Sequence, residues 1–360
     1  MTRVWELNVT DATLVSHAAR MAGNAARSVG LDEVRAAAVA LTASELATNM
    51  CRYAAGGRFV AEEVRDPWGT SRALQILALD HGPGIPDVER AMSDGFSTVD
   101  SLGTGLGACG RAADFFEVQS TPGRGTVALA RFARPSDRAL FERRVAVGGV
   151  HVPLGGQEDS GDALAFRSGG GSRMVMLADG LGHGEAAAEA SALAARYVTE
   201  NGQHSPATLL RGMHAALRRT RGVAVALAEV DDSRQRLTFC GIGNIGARLY
   251  RGGRWETLLS SPGIVGAFTL RTPVPVLRDW TPGDMLVLHS DGLPSRWSPE
   301  GTELLHDHDA AVIAAALFRD SGSAARPLRD DTCVAVVKPT VREEGEEGAV
   351  LARTASPNRR

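Results

Sequence analysis

L-A-D-G-L-G-H-G, residues Leu177 to Gly184, closes an apolar run, Met174 to Ala178, that has strand character and hands one carboxylate, Asp179, directly to a glycine turn. A strand end holds an acid rigidly, and glycine lets the backbone fold tightly enough for the Gly180 carbonyl to face the same ion. Three more acids stand at comparable punctuation: Asp162 in S-G-D, Asp291 in H-S-D-G and Asp330 in R-D-D-T-C-V-A-V-V. Each lies at the edge of an apolar, strand-like run. Carboxylates without a Cys or His cluster favour hard cations such as magnesium or manganese over zinc. Such ions suit metal-assisted hydrolysis of a phosphoryl group by an activated water, with no protein nucleophile. Asp-Gly is also a common turn dipeptide, so any one of these acids alone reads as a turn residue; the ordered set carries the metal reading.

S-G-D, A-D-G-L-G-H-G, H-S-D-G-L and D-D-T-C-V-A-V-V, in that order between about Arg143 and Lys338, resemble the metal-dependent serine/threonine phosphatases of the PPM class, in their compact SpoIIE-like branch. The resemblance implies an αββα sandwich with Asp162, Asp179, the Gly180 carbonyl, Asp291 and Asp330 around two manganese or magnesium ions. Two departures stand out. Ala163 follows the first acid where many relatives carry an aromatic residue, and His183 lies three residues after Gly180 instead of directly behind Asp-Gly. His183 is therefore read as a loop histidine and not as a general acid.

With 360 residues, 44% of them hydrophobic and 22% charged, the chain is long enough for about two ordinary cores. A formal charge of -3 offers no electrostatic case for nucleic acid or an anionic membrane. The start, M-T-R-V-W-E-L-N-V-T, alternates like a strand and lacks the apolar centre of a signal peptide. No apolar run approaches the roughly 18 residues of a membrane span. Cys51, Cys109, Cys240 and Cys333 are isolated and show neither metal-ligand pairing nor a disulfide framework, which fits a reducing cytoplasm.

The N-terminal third opens with a strand, residues 3–9, and a helix towards Val29 capped by Asp11 or Thr13. Leu31 to Ala54 reads as one long helix with Asp32 near its start. Within it S-E-L-A-T-N sets Glu45 and Asn49 four apart on one face, while Leu41, Leu46 and Met50 are expected to serve the core. Two strands follow, Arg58 to Glu63 and Ala73 to Leu79, the second delivering Asp80 into D-H-G-P-G-I. After the acidic loop D-G-F-S-T-V-D-S comes L-G-T-G-L-G-A, whose glycines precede a helix over Leu106 to Ala113. Backbone N–H groups at such a helix start form a phosphate cradle.

These stretches, with P-G-R-G-T-V, resemble the ATP-binding module of the GHKL superfamily across Met1 to Phe132, and within it the small bacterial anti-sigma-factor and stress-switch serine kinases. The resemblance implies that Asn49 coordinates the magnesium of ATP and Asp80 receives the adenine amino group. It further implies that Gly82 and Gly84 shape the adenine pocket, that Gly103, Gly105, Leu106 and Gly107 meet the phosphates, and that Thr126 supports the base. Glu45 matches the base that activates an attacking hydroxyl, the one proton acceptor that phosphoryl transfer needs beyond positioning and a metal ion. His81 reads as a solvent-facing loop residue.

The expected fold class is α/β (α+β), and the expected division is a GHKL-type α/β-sandwich serine kinase domain over 1–134, a linker over 135–142, a SpoIIE-like αββα phosphatase over 143–338 and a disordered tail over 339–360. In the second half, residues 159–179 read as a hairpin, 185–200 and 206–220 as alanine-rich helices, and 223–230, 237–241 and 247–251 as strands. G-I-G-N-I-G is a bulged strand connection in this reading, Trp297 a packing residue, and His306, Asp307, His308 and Asp309 a solvated helix cap. The resulting expectation is a cytoplasmic, bifunctional regulator. It binds ATP and phosphorylates, and through a separate metal-dependent domain dephosphorylates, serine or threonine of STAS-type antagonist or scaffold proteins in a stress or sigma-factor switch. A sigma factor or partner phosphatase is a further candidate partner. Two rivals remain: an N-terminal half that only gates partner binding with ATP, and a sensor-kinase-like protein, for which no upstream phosphoacceptor helix is visible.

Overall fold

The computed structural model describes residues 4–65, 71–93, 105–142, 144–153, 160–169, 171–267, 273–294, 297, 305–322 and 330–339. Gly103, the acidic loop before it and the tail from residue 340 lie outside them. Two compact units result: one holds residues up to Val145 together with the segment that starts at Asp307, the other residues 146–306 and the described end of the chain.

In the first unit β1 (Val4–Val9), α1 (Thr13–Ser28), α2 (Glu33–Tyr53), β2 (Gly57–Arg65) and β3 (Arg72–Leu79) lead to α3 (Val88–Met92) and α4 (Gly105–Ala112). β4 (Phe115–Thr121), β5 (Gly125–Ala133) and α5 (Arg138–Phe141) complete this stretch. The strands form one antiparallel sheet in the order β1-β2-β3-β5-β4. Alternate residues of each strand face opposite sides: Phe59, Ala61, Leu74, Ile76, Ala128, Ala130 and Phe132 join the core beneath α1, α2 and α4. Asp32 caps α2 by accepting from the Arg35 N–H at 2.8 Å.

One expectation is corrected in α2. Leu41 is 56% exposed, as Val34 and Tyr53 are also exposed, and the buried stripe runs through Ala36, Val39, Ala43, Leu46, Ala47 and Met50. The reason is the small-residue contact with α1, where a Cβ at Gly23 would already touch Ala40. Alanines at that seam set the rotation of α2 and turn Leu41 outward.

The second unit contains β6 (Val147–Val152), β7 (Asp162–Gly169), β8 (Ser172–Gly180), α6 (Glu185–Asn201), α7 (Pro206–Ala216), β9 (Val223–Asp231) and β10 (Arg236–Ile242). It continues through β11 (Gly246–Arg251), β12 (Arg254–Thr257), β13 (Val276–Asp279), β14 (Met285–His289) and β15 (Thr332–Val337). Two five-stranded antiparallel sheets, β13-β10-β9-β8-β7 and β12-β11-β14-β15-β6, share a core that includes Leu164, Phe166, Val175, Phe239, Trp280, Leu288 and Ala335. A second apolar layer joins the first of these sheets to α6 and α7 through Met174, Met176, Ala194, Val198, Leu210 and Met213. The G-I-G-N-I-G stretch turns at Gly243 (φ +96°) and passes the chain from one sheet to the other, where the sequence suggested a bulged connection.

The last helix, α8 (Ala310–Ser321), belongs to the first unit. Every residue from Ala310 to Arg319 is buried. It lies against the second face of the β1–β5 sheet, where Glu62, Gln75, Glu117, Gln119 and Arg131 are buried beside Val60, Leu77, Val127 and Leu129. Asp309 caps it by accepting from Ala311 N–H, as its position suggests, but with 0% exposure the cap is buried and not solvated. Its carboxylate is held by Arg131 at 2.7 and 2.8 Å and by the Val145 N–H at 2.7 Å, while its own N–H donates to Glu117.

Candidate functional site

Strand register gathers the acids of the second unit. β7 and β8 pair so that Asp162 stands directly across from Asp179. Gly180 donates to the Gly161 carbonyl, and a Cβ at position 180 would collide with the Ala187 carbonyl in α6, so glycine alone permits this approach. Asp291 follows β14 and accepts from Asn244 Nδ2 at 2.7 Å. Asp330 precedes the neighbouring strand β15. Asp331 takes part as well, accepting from the Gly161 N–H at 2.5 Å and donating its own N–H to Asp330 at 2.9 Å.

The electrostatics are those of acids crowded together. Burial pushes the Asp162 carboxyl well above the ordinary range, the Asp179 charge adds to this, the Ser290 hydroxyl opposes it, and Asp331 and Asp291 raise it further. Asp179 is pushed up to about 7, by burial first and then by Asp291, Asp330 and Asp331. Asp291 is raised by burial and by Asp330, against the Asn244 hydrogen bond. Among the described residues no three of these side chains stand close enough to form a finished cation cage, although the charges of neighbouring acids raise Asp162, Asp179 and Asp291. Asp162 Oδ2 is buried without a hydrogen-bond partner among the described residues. Asp162 is buried, Asp179 half-buried, and Asp291 and Asp330 open to solvent, so the acids run from an orphaned buried oxygen out to the surface, a donor set suited to divalent cations.

All four acids named from the sequence thus lie at one end of one unit, with the Gly180 backbone beside them. Asn244, Ser290 and Asp331 were not singled out. Each had a visible signal: the asparagine of G-I-G-N-I-G, the serine before Asp291 and the second acid of R-D-D-T. His183 is exposed.

In the first unit Asp80 ends β3 and is tied to the start of β5. Its Oδ1 accepts from the N–H groups of Gly82 at 2.8 Å and Thr126 at 3.2 Å, and its N–H donates to the Thr126 carbonyl. Among the described residues no hydrogen bond to Oδ2 is seen. Gly84 has φ +75° and sits where a Cβ would strike the Thr121 carbonyl. A Cβ at Gly82 would press on Ala54, which places this turn against the end of α2. Thr126 Oγ1 meets Ser120 Oγ at 2.9 Å.

Glu45 and Asn49 are half-buried on α2, and Gly105, Leu106 and Gly107 form the half-buried start of α4. The Cys109 thiol, one turn into α4, is pushed up to about 12 by burial and then by the Glu45 charge, so that Glu45 faces this helix start. Burial raises Asp80, opposed by its two backbone donors and by the charges of Arg319 and His81. The ring of His81 is exposed, but its Nε2 bonds the Arg319 carbonyl at 2.8 Å.

Comparison with known proteins divides the chain in the same sense. Residues 9–131 match the histidine kinase-like ATPase domain model, and residues 169–340 match the model of stage II sporulation protein E. Serine/threonine-protein kinase RsbT of Bacillus subtilis (strain 168) is 43% identical over 110 residues, which are 30% of this chain and 81% of that protein. A chain from a structure of the bacterial stressosome is 26% identical with a TM-score of 0.49, covering 54% of this chain and 100% of its own. RsbX in complex with magnesium is 18% identical with a TM-score of 0.47, covering 55% and 96%. Among the described residues no helix is long and apolar enough to cross a membrane.

Proposed function

We propose that this chain, which belongs to the family of serine/threonine-protein kinase RsbT and matches the histidine kinase-like ATPase domain over residues 9–131 and stage II sporulation protein E over residues 169–340, both writes and erases phosphate on serine or threonine of a partner protein. The partner class is a STAS-type antagonist or scaffold protein of a stress or sigma-factor switch. Joining the two modules in one chain gives both access to the same docked partner at high effective concentration.

In the N-terminal half, Asp80 accepts the amino group of adenine, Gly82 and Gly84 shape the base pocket and Thr126 braces it. The start of α4 at Gly105, Leu106 and Gly107 offers N–H groups to the phosphates, Asn49 ligates the magnesium of ATP, and Glu45 takes the proton of the incoming hydroxyl. In the C-terminal half Asp162, Asp179, Asp291, Asp330 and the Gly180 carbonyl hold two manganese or magnesium ions. Ions bound there would polarise the phosphoryl oxygens and supply the attacking hydroxide. Ser290 and Asn244 orient Asp162 and Asp291, and Asp331 fixes the loop at Gly161. The domain division proposed is a kinase-type unit up to residue 145, completed by 307–326, and a phosphatase unit made from the rest.

The observation that carries the reading is the pairing of Asp162 with Asp179 across β7 and β8. A buried acid and a half-buried one held opposite each other by strand register make sense when a cation belongs between them. The test uses labelled ATP, the full chain and a STAS-type protein. Transfer of label should need Glu45, and release of label should need manganese and Asp179. Label transfer that survives Glu45→Ala would remove the assigned base. Partner binding that depends on ATP without any transfer would favour the non-catalytic switch for the N-terminal half.

A further inference from the structure

Helix α8 comes from a part of the sequence far outside the kinase-like stretch at 9–131, yet its last turn reaches the turn that follows Asp80. Arg319 makes that connection. It is 1% exposed, and its Nη1 donates to Gln119 Oε1 at 3.0 Å and to the Gly125 carbonyl at 3.2 Å, while Nε donates to Asp320 at 2.7 Å. Its own carbonyl accepts from His81 Nε2, 238 residues away in sequence.

The two places that Arg319 grips flank Asp80. His81 is the next residue, and Gly125 lies immediately before Thr126, which exchanges hydrogen bonds with Asp80 in both directions. Gly125 has φ +112°, and a Cβ there would run into the Asp80 carbonyl, so its backbone lies flat against the acid's own. Arg319, Gly125, Asp80 and His81 therefore form a closed ring of contacts. Residue 319 reaches both flanks of the acid, with its guanidinium at Gly125 and its main-chain carbonyl at His81, without touching the Asp80 carboxylate through any described hydrogen bond.

This arrangement is expensive if its only purpose is packing. A buried guanidinium loses most of its hydration, and Nη2 of Arg319 has no hydrogen-bond partner among the described residues. An aliphatic side chain would complete the same helix face without that cost. Its positive charge also opposes the effect of burial on Asp80.

We propose that Arg319 is a positioning residue of the nucleotide site: from α8 it fixes the Asp80–Gly84 turn and the start of β5 in the geometry that recognises adenine. Residues 1–134 alone therefore lack part of their own nucleotide pocket. The proposal rests on the reading of Asp80 as the adenine acceptor. It predicts that specificity for the 6-amino group, and not binding of the triphosphate as such, depends on α8.

The test is calorimetric titration of the full chain with Mg-ATP and with Mg-ITP, which carries a 6-oxo group in place of the amine. Wild type should prefer ATP, and Asp80→Asn should lose the preference. Arg319→Met should weaken ATP by about tenfold, the loss of one charged hydrogen-bonding partner, while ITP binding changes little. Arg319→Lys should recover part of the preference. His81→Ala, an exposed ring whose removal leaves the core intact, should weaken ATP about threefold with an unchanged melting temperature, and carries the test should Arg319→Met fail to fold. If wild type shows no preference, or Asp80→Asn retains it, the reading of Asp80 falls and the proposal with it. If Asp80→Asn loses the preference while Arg319→Met, or an unfolded Arg319→Met replaced by His81→Ala, keeps it, the adenine reading stands and the proposal alone is overturned.

Discussion

Asp309 and Asp162 are both buried acids, one 0% and the other 4% exposed, and their surroundings are opposite in kind. Asp309 receives both guanidinium nitrogens of Arg131 and two backbone N–H groups, so its charge is matched where it stands. Asp162 faces Asp179 across two paired strands and keeps one oxygen without a partner. Burial is therefore not informative by itself. A buried acid with a cation and donors around it is matched within the fold, whereas a buried acid held against another acid is not. Asp80 falls between them: two backbone donors fill one oxygen, and among the described residues no hydrogen bond to the other is seen.

The strongest way to break this contrast is Asp162→Asn. Manganese-dependent hydrolysis of an aryl phosphate should fall by about a thousandfold or more, several kcal/mol of transition-state stabilisation. The same substitution should leave the metal-free melting temperature equal or higher, because it removes a like-charge repulsion, and should abolish the rise in melting temperature on adding manganese. A lower metal-free melting temperature would place Asp162 with Asp309 as a structural acid.

Asp309→Ala comes next. Leaving the Arg131 guanidinium buried without its carboxylate should cost about 3–5 kcal/mol in denaturant unfolding of the unit that contains it. Replacing Arg131 and Asp309 together by Met and Leu should recover much of that loss, since two apolar side chains leave no charge stranded.

For Asp80 the contrast is sharpened by pH. Its carboxyl is raised by burial, so protonation sets in above the ordinary carboxylate range as the pH falls, and on the proposed reading of Asp80 as the adenine acceptor the protonated form binds the amino group less well. ATP affinity should therefore decline on acidification with a midpoint higher than that of a solvent-exposed aspartate, and the Asp80→Asn variant should show no such step. The smallest effect is expected at Leu41→Ser. At 56% exposure the change should stay within about 0.5 kcal/mol, far below any core leucine.

Local patterns in the sequence were informative where local physics decides. The Asp32 cap, the Glu45 and Asn49 pair on α2, and the strand ends that carry Asp80, Asp162 and Asp179 all follow from spacing and turn chemistry. Leu41 was misjudged because helical periodicity says which residues share a face, while the alanine seam with α1 decides which face is buried. The role of Asn244 depends on a turn that passes between sheets, a tertiary event without a local signature. α8 was the least legible element. Its sequence lies within the SpoIIE-matching span, and nothing in A-A-V-I-A-A-A-L-F-R-D-S says that its partner is a sheet made from residues before 134. Long-range placement of this kind is carried by the polar residues on the receiving face, Gln75, Glu117, Gln119 and Arg131, which read as ordinary surface positions until the helix is in place.

That placement has a consequence for how the protein comes into being. During synthesis, the sheet that finishes at Ala133 must remain without its covering helix until the ribosome has made nearly 190 further residues, the interval from Ala133 to Ser321. A hydrophobic sheet left bare for so long would invite aggregation with neighbouring nascent chains. The waiting face is mixed, with Val60, Leu77, Val127 and Leu129 set among Glu62, Gln75, Glu117, Gln119 and Arg131, so its polar groups reduce, without removing, the apolar area that stays exposed in the meantime.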